Sequence, residues 1–325
     1  MRKLFLTVAV VIMLISALTA CGKAPASPTS APPTNTGAPT TTASPVPPTR
    51  TPPPPGLVLI AAAEARAGVK DAVRRWAEAL AAEKGYAFTT QTPEKPVPSN
   101  AALVLAVGVA PPKAGKARLI VVNPPPKANL GDAQALYTAS ADILHRAFLA
   151  GYLAAVVTKD WRTGIVADAS EEKAVEAYED GVRYYCGLCR PLYPPFLTYP
   201  QFALVPAGAQ QGEWMVAAHE LVSAGKVQAL VLSPLALKSP IPSANLNTNL
   251  IALPPTGEQA PQGNFAVSIE ANIAAALDLL WKNPKVSSAN AAMKIRVLKS
   301  GFVSKGRLRW VEETQKALEQ GLIAP

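Results

Sequence analysis

Apolar residues fall along the chain in two alternating rhythms. Short unbroken runs, Leu57 to Ala62, Ala101 to Val107 and Leu119 to Val122, have the length and composition of strands buried on both faces. After Asp168 the same kind of run returns at 202–205, 229–232, 250–253 and 265–268, with Gly164 to Asp168 as the first of this second series. Between the runs lie segments with helical spacing. Val69, Val73, Trp76 and Leu80 mark one face of a helix over 66–84 that Gly85 ends. Further helices are predicted over 171–185, 211–224 and 270–282, and from about Val311 to Gln320. Tyr86 to Thr90 alternates like a strand, and Leu136-Tyr137-Thr138 is a short one. Pro93 to Pro98 interrupts the rhythm where another helix would be expected. Strand and helix alternate twice over, which predicts an α/β fold with two lobes, each a mostly parallel sheet flanked by helices.

The stretch from Ala139 to Tyr185 joins the two series. Its first helix carries Leu144, Phe148, Tyr152 and Val156 in one stripe, surrounded by Ala147, Ala150, Gly151, Ala154 and Ala155. A glycine inside a helix costs about 1 kcal/mol relative to alanine, so Gly151 predicts close approach by another element. We assign lobe 1 to about 56–158 and 264–285, and lobe 2 to about 159–263 and 286–325.

Composition changes the picture mainly at the amino terminus. Arg2 and Lys3 precede an apolar run from Leu4 to Leu18, which is short for a membrane span of about 20 residues and fits the core of an export signal. Leu18-Thr19-Ala20-Cys21 resembles a bacterial lipobox, with Cys21 as the acylated first residue of the mature chain; the alternative is an ordinary secretory signal with a chance cysteine. Residues 1–20 are thus read as a lipoprotein signal peptide. Residues 21–55 form a lipid-bearing Pro/Thr-rich linker without the apolar side chains needed to fold. At about 3.1 Å per residue in polyproline geometry, such a linker spans as much as roughly 100 Å. The expected location is the extracytoplasmic face of the cell membrane.

The net charge of +9 is scattered. Lys294, Arg296, Lys299, Lys305, Arg307 and Arg309 form one basic cluster that could face anionic lipid, cell-wall polymer or nucleic acid. Alternation with Ile295, Val297 and Leu308 reads instead as the solvated face of a hairpin, and no nucleic-acid partner is expected. His145 and His219 are the two histidines, which leaves little for a metal site or a His-dependent triad. The Gly-x-Ser-x-Gly, P-loop and His-Glu-x-x-His patterns do not occur, and neither catalysis nor a cofactor is expected. Cys186-Gly187-Leu188-Cys189 follows a helix rather than opening one, so a local structural disulfide is favoured over free thiols or redox chemistry.

The run Phe148 to Ala154, the strand Thr163 to Val166 and the helix end Tyr178-Glu179-Asp180-Gly181-Val182 resemble the basic membrane protein family of lipoproteins. That resemblance implies the type 1 periplasmic-binding-protein fold, closing on a nucleoside-like molecule for an ABC-type permease. The chain would then be a monomer anchored by its lipid. Ligands of open α/β sheets bind beyond the carboxyl ends of the strands. The cleft candidates at those positions are Glu64, Arg66, Asn123, Asp168, Gln211, Ser233 and Glu258, with Trp214 as a stacking platform or, the favoured reading, an inward core residue beside Ala218, Leu221 and Val222. Two loops depart from the family. Ala61 to Arg66 lacks its Asn-Asp pattern, and Pro254-Pro255-Thr256-Gly257-Glu258 lacks the aspartates that would hold ribose hydroxyls. These departures motivate a second reading, a degenerate binding fold with an envelope interaction or structural role and no small ligand.

Overall fold

The computed structural model describes residues 53–190, 192–194 and 196–325. The signal segment, Cys21 and the linker up to residue 52 lie outside the described residues. Two six-stranded sheets organise the rest. The first is built from β1 (Gly56–Ala61), β2 (Ala87–Gln91), β3 (Ala101–Val107), β4 (Arg118–Val122), β5 (Gln134–Tyr137) and β11 (Ser288–Asn290), in the order β11-β5-β4-β3-β1-β2 and parallel throughout. The second takes β6 (Thr163–Asp168), β7 (Gln201–Val205), β8 (Ala229–Leu232), β9 (Asn249–Ala252), β10 (Phe265–Asn272) and β12 (Ala292–Val297), in the order β12-β10-β9-β8-β6-β7. Only β12 is antiparallel among these described strands. Each sheet places its first strand between its second and third, so the chain switches direction at β1 and again at β6.

Residue alternation sends each strand's side chains to two cores. In β1, Leu57 and Leu59 join the large core under helices α1 (Ala67–Lys84) and α5 (Ile273–Lys282), while Val58 and Ile60 face a small cluster with Val104. That second face is covered by Val97 before β3 and by Val109, Ala114 and Ala117 from the irregular connection between β3 and β4, because the prolines at 93–98 remove the helix that would otherwise lie there. In the second lobe, α2 (Ile143–Val157) and α3 (Glu172–Cys186) cover one face, and α4 (Gln211–Ser223) covers the other. The helix α2 is buried continuously from Arg146 to Val156. It meets α3 backbone to backbone. A Cβ on Gly151 would lie 2.1 Å from the Tyr178 carbonyl oxygen, and one on Gly181 would lie 1.9 Å from that of Phe148. The predicted close approach of Gly151 is therefore made to a second helix carrying its own glycine.

The chain passes between lobes three times. It crosses after Tyr137 through the short turn 139–141 and α2, again where β10 runs straight into α5, and finally across the single residue Ala291 between β11 and β12. Ala291 is buried, its N–H donates to the Tyr137 carbonyl at 2.7 Å, and its own carbonyl accepts from Ser140 Oγ at 3.0 Å. This corrects the sequence-based lobe limits. Residues 265–272 pair with β9 and β12 in the second sheet rather than belonging to lobe 1. Residues 288–290, placed in lobe 2 from sequence, pair with β5 in the first sheet. The carboxyl end also differs from expectation. Arg307 to Trp310 form the first turns of α6 (Lys305–Glu319), not an arm of a hairpin, because Ser304 caps the helix there by accepting from the Arg307 N–H.

Candidate functional site

The loops after β1, β3, β4 and β5 converge at the carboxyl edge of the first sheet. With the amino end of α1 they line a cavity of about 400 Å³. Gly108, with φ +67°, turns the chain sharply after β3, and its Cα hydrogens leave room for Ala65 from the loop after β1. Asn123 also occupies the left-handed region, with φ +48°. Its amide is committed to the neighbouring loop: Oδ1 accepts from the Thr138 N–H at 3.0 Å, and Nδ2 donates to Thr138 Oγ1 at 2.9 Å. Asp142 closes the back of the cavity and caps α2, accepting from the N–H groups of Leu144 and His145, with His145 Nδ1 also 2.9 Å from Oδ1. Glu64 and Arg66 stand exposed at the mouth.

One turn along α2, Arg146 is fully buried. Its Nε donates to the carbonyls of Ala141 and Asp142 at 3.1 and 3.2 Å, Nη1 to those of Pro254 and Ile269, and Nη2 to Thr256 Oγ1 at 3.0 Å. Burial lowers this guanidinium to about 10, against the pull of Asp142 and with the push of Arg66. Arg146 thereby ties the loop after β9 to the crossover helix. The tip of that loop reaches the first lobe: a Cβ on Gly68 would lie 2.3 Å from the Thr256 carbonyl oxygen, and Arg75 Nη2 donates to the Gly257 carbonyl at 2.8 Å. The two lobes are thus in backbone contact beside the cavity.

Of the eight cleft candidates, Glu64, Arg66 and Asn123 are brought together here. The others are not. Asp168 is buried and caps the turn 169–171, accepting from Ser170 N at 2.9 Å and Ser170 Oγ at 2.6 Å. Ser233 donates to Glu171 Oε2, which also accepts from the Asp168 N–H at 3.1 Å, while Glu171 Oε1 accepts from the Leu235 N–H at 3.2 Å. The polar groups at the strand ends of lobe 2 therefore satisfy one another. Gln211 is exposed at the start of α4. Trp214 is 8% exposed within the lobe 2 core beside Tyr199, Ala218 and Leu221, so it packs rather than stacks. Glu258 lines a separate cavity of about 350 Å³ with Arg75, Trp76 and Glu270.

Sequence reasoning missed Thr138, Asp142, Arg146 and Glu171. Arg146 had a signal, a lone cation inside an otherwise apolar helical stripe. Glu171, an acid at the start of the helix predicted over 171–185, carries no distinguishing signal and is the hub of the lobe 2 network. Cys186 and Cys189 are joined in a disulfide that closes the turn after α3, with Cys189 buried. The basic cluster is partly paired: Arg296 Nη1 lies 2.9 Å from the buried Glu270, and Arg309 Nε lies 3.0 Å from Glu313. Among the described residues no group of three His, Cys, Asp or Glu is placed to hold a metal ion.

No protein-family model matches the chain, and no curated protein matches it in sequence. Its structure is similar to that of an ABC transporter system solute-binding protein from Aeropyrum pernix K1 (12% identity, 83% of this chain and 93% of that one, TM-score 0.50). A second such protein, from Conexibacter woesei DSM 14684, matches at 13% identity over 83% of this chain and 98% of that one, TM-score 0.50. A transcriptional activator of the comK gene from Bacillus halodurans matches at 11% identity over 83% and 99%, TM-score 0.51. These likenesses identify the fold as type 1 periplasmic-binding-protein-like.

Proposed function

We propose that this chain is a membrane-anchored, extracytoplasmic solute-binding lipoprotein that captures a small polar molecule and presents it to an ABC-type importer or a sensor. The observation that carries the reading is the cavity at the carboxyl edge of the first sheet. It gathers a carboxylate, a guanidinium, an amide and a hydroxyl from four loops and an adjacent helix start, in a volume typical of small-molecule sites. The solute-binding proteins from Aeropyrum and Conexibacter share the fold and support the assignment. The basic membrane protein resemblance points to a nucleoside-like ligand. The lipobox at Cys21 supplies the anchor, and two or more acyl chains give stable attachment. No step of covalent chemistry is assigned to the site.

A thermal-shift screen over nucleosides, sugars and amino acids tests this. A ligand at 100 times its dissociation constant stabilises the fold by about 2.7 kcal/mol. Arg66→Ala and Glu64→Gln should abolish the shift while leaving the unliganded melting temperature unchanged, since both side chains are exposed. Loss of acyl labelling and membrane retention in Cys21→Ser tests the anchor. The second reading, a non-binding structural module, is favoured by the self-satisfied Asp168–Glu171–Ser233 network and by the loop 254–258 seated on Gly68. It predicts no shift with any solute class.

A further inference from the structure

A markedly apolar surface of the described residues lies away from the cavity, at the amino-terminal end of β6 and β7. Seven of its large hydrophobic side chains, Tyr184, Tyr185, Leu188, Leu192, Tyr193, Phe196 and Phe202, are exposed within nineteen positions. Leu188 is 82% exposed, Leu192 72% and Phe196 63%. Single exposed apolar residues are ordinary, but a contiguous group of this kind marks a contact surface. The surface has a fixed base. Tyr184 and Tyr185 pack on Tyr152 of α2, with ring centroids 5.9 and 5.5 Å apart, and the Cys186–Cys189 disulfide closes the turn that projects Leu188. Lys159, just beyond α2, sets its ammonium 4.3 Å from the Tyr193 ring centroid, and Arg162 Nη2 donates to the Pro194 carbonyl at 2.7 Å.

Charge decides what such a surface meets. From Gly181 to Gln210 the sequence holds Arg183 and Arg190 and no Asp or Glu. Arg183 is engaged by Glu179 and Asp180, and Arg162 by Asp160, which leaves Arg190 and the Lys159 ammonium over Tyr193 exposed and without a carboxylate partner among the described residues. Aliphatic tips, tyrosines carrying a hydroxyl at the end of an apolar ring, and flanking cations are the set that partitions into the headgroup region of an anionic bilayer. A protein partner would need complementary carboxylates and a shaped pocket, whereas a bilayer accepts scattered projecting side chains.

We propose that this disulfide-closed aromatic tip of lobe 2 docks on the surface of an anionic lipid bilayer. The proposal stands independently of the lipid anchor, so it is tested without one. Residues 53–325 contain both sheets, every described helix and all three core clusters, and fold as one unit. This fragment should co-sediment with vesicles of phosphatidylcholine containing phosphatidylglycerol, and less with phosphatidylcholine alone. Leu188→Ser, Leu192→Ser and Phe196→Ser combined should weaken that partitioning by at least about tenfold without changing the melting curve. Lys159→Glu with Arg190→Glu should remove the preference for the anionic lipid. Should the triple variant fail to fold, Leu192→Trp reads the same question: its emission should shift to the blue and be quenched by brominated lipid. Leu322→Trp, equally exposed at 72%, should show neither effect. Failure of the fragment to bind either vesicle, or equal binding by the triple variant, overturns the proposal. So does a doubled mass in light scattering that the triple variant restores to that of the monomer, which would make the tip a contact between copies.

Discussion

The contact between Gly151 and Gly181 is the place where one added methyl group should matter most. A Cβ at either position would sit 2.1 or 1.9 Å from a carbonyl oxygen of the opposite helix. Ordinary contact needs about 3.5 Å, so α2 and α3 must separate by about 1 Å or more, and a gap of that size forfeits a quarter to a half of the dispersion energy along the interface. Overpacking of this kind costs about 1–3 kcal/mol, with the rigid backbone partners placing it at the upper end. Alanine is favoured over glycine in a helix by about 1 kcal/mol, which offsets part of the loss. The net expectation is about 2 kcal/mol of destabilisation for Gly151→Ala or Gly181→Ala, or about 4–8 °C in melting temperature for a domain of this size. The double substitution should cost less than the sum, because one separation relieves both clashes. Circular-dichroism melts of the 53–325 fragment provide the measurement, with Gly306→Ala as control. Gly306 lies in α6 with no atom within 4 Å of its hypothetical Cβ, so its substitution should be neutral or stabilising. If Gly151→Ala and Gly181→Ala behave like Gly306→Ala, the helices are not held by this approach and the reasoning fails.

Arg146→Met removes the guanidinium donors to the carbonyls of Pro254 and Ile269; we expect a loss of about 3 kcal/mol and faster amide exchange over 254–258, with Arg146→Lys intermediate. Burial holds the Tyr178 phenol well above its ordinary value of 10.0, so above that pH the folded chain keeps a proton the unfolded chain has lost, and stability falls as pH rises. Neither Tyr178 Oη nor Thr163 Oγ1 has a hydrogen-bond partner of good geometry, so Tyr178→Phe should be near neutral at pH 7 and should flatten that alkaline decline in denaturant titrations. Trp214→Leu should lower stability by about 2 kcal/mol while leaving the affinity for any ligand found in the screen unchanged. Replacing Cys186 and Cys189 by serine opens a loop of only a few residues, worth about 2 kcal/mol at most, and should raise amide exchange at 187–190 without affecting the cavity.

The fold was legible because its determinants are local. Runs such as Ala101 to Val107 and Ala229 to Leu232 can be buried strands in little else, and Gly151 announced a close neighbour from helix propensity alone. The lobe limits were less legible because the sheet that β10 and β11 join is chosen by tertiary pairing, and Ser288-Ala289-Asn290 has no apolar run to mark it as a strand at all. Nothing in Phe265 to Ser268 states that its neighbour will be Leu250 rather than a strand of the first lobe. The site was least legible. Glu64, Arg66 and Asn123 lie where strand ends predict, but Asp168 and Ser233 occupy equivalent positions and are consumed, the Asp168 carboxylate by Ser170 and the Ser233 hydroxyl by Glu171. Whether a polar side chain at a strand end faces a ligand or a neighbour depends on its partners, the adjacent turn for Asp168 and a residue about sixty positions away for Ser233. Trp214 was legible as a core residue: Ala218, Leu221 and Val222 share its helix face, and burial in the core is what that pattern supports.

Ala291 bears on how the molecule is made. The first sheet receives its sixth strand only when residues 288–290 have been synthesised, and one residue later the chain is already adding the last strand of the second sheet. Neither sheet corresponds to a contiguous stretch of the chain. A ribosome that has released two hundred and eighty residues has therefore completed neither. Truncation from the carboxyl end should unravel both lobes together, and neither lobe could be inherited, exchanged or trimmed as a separate gene segment.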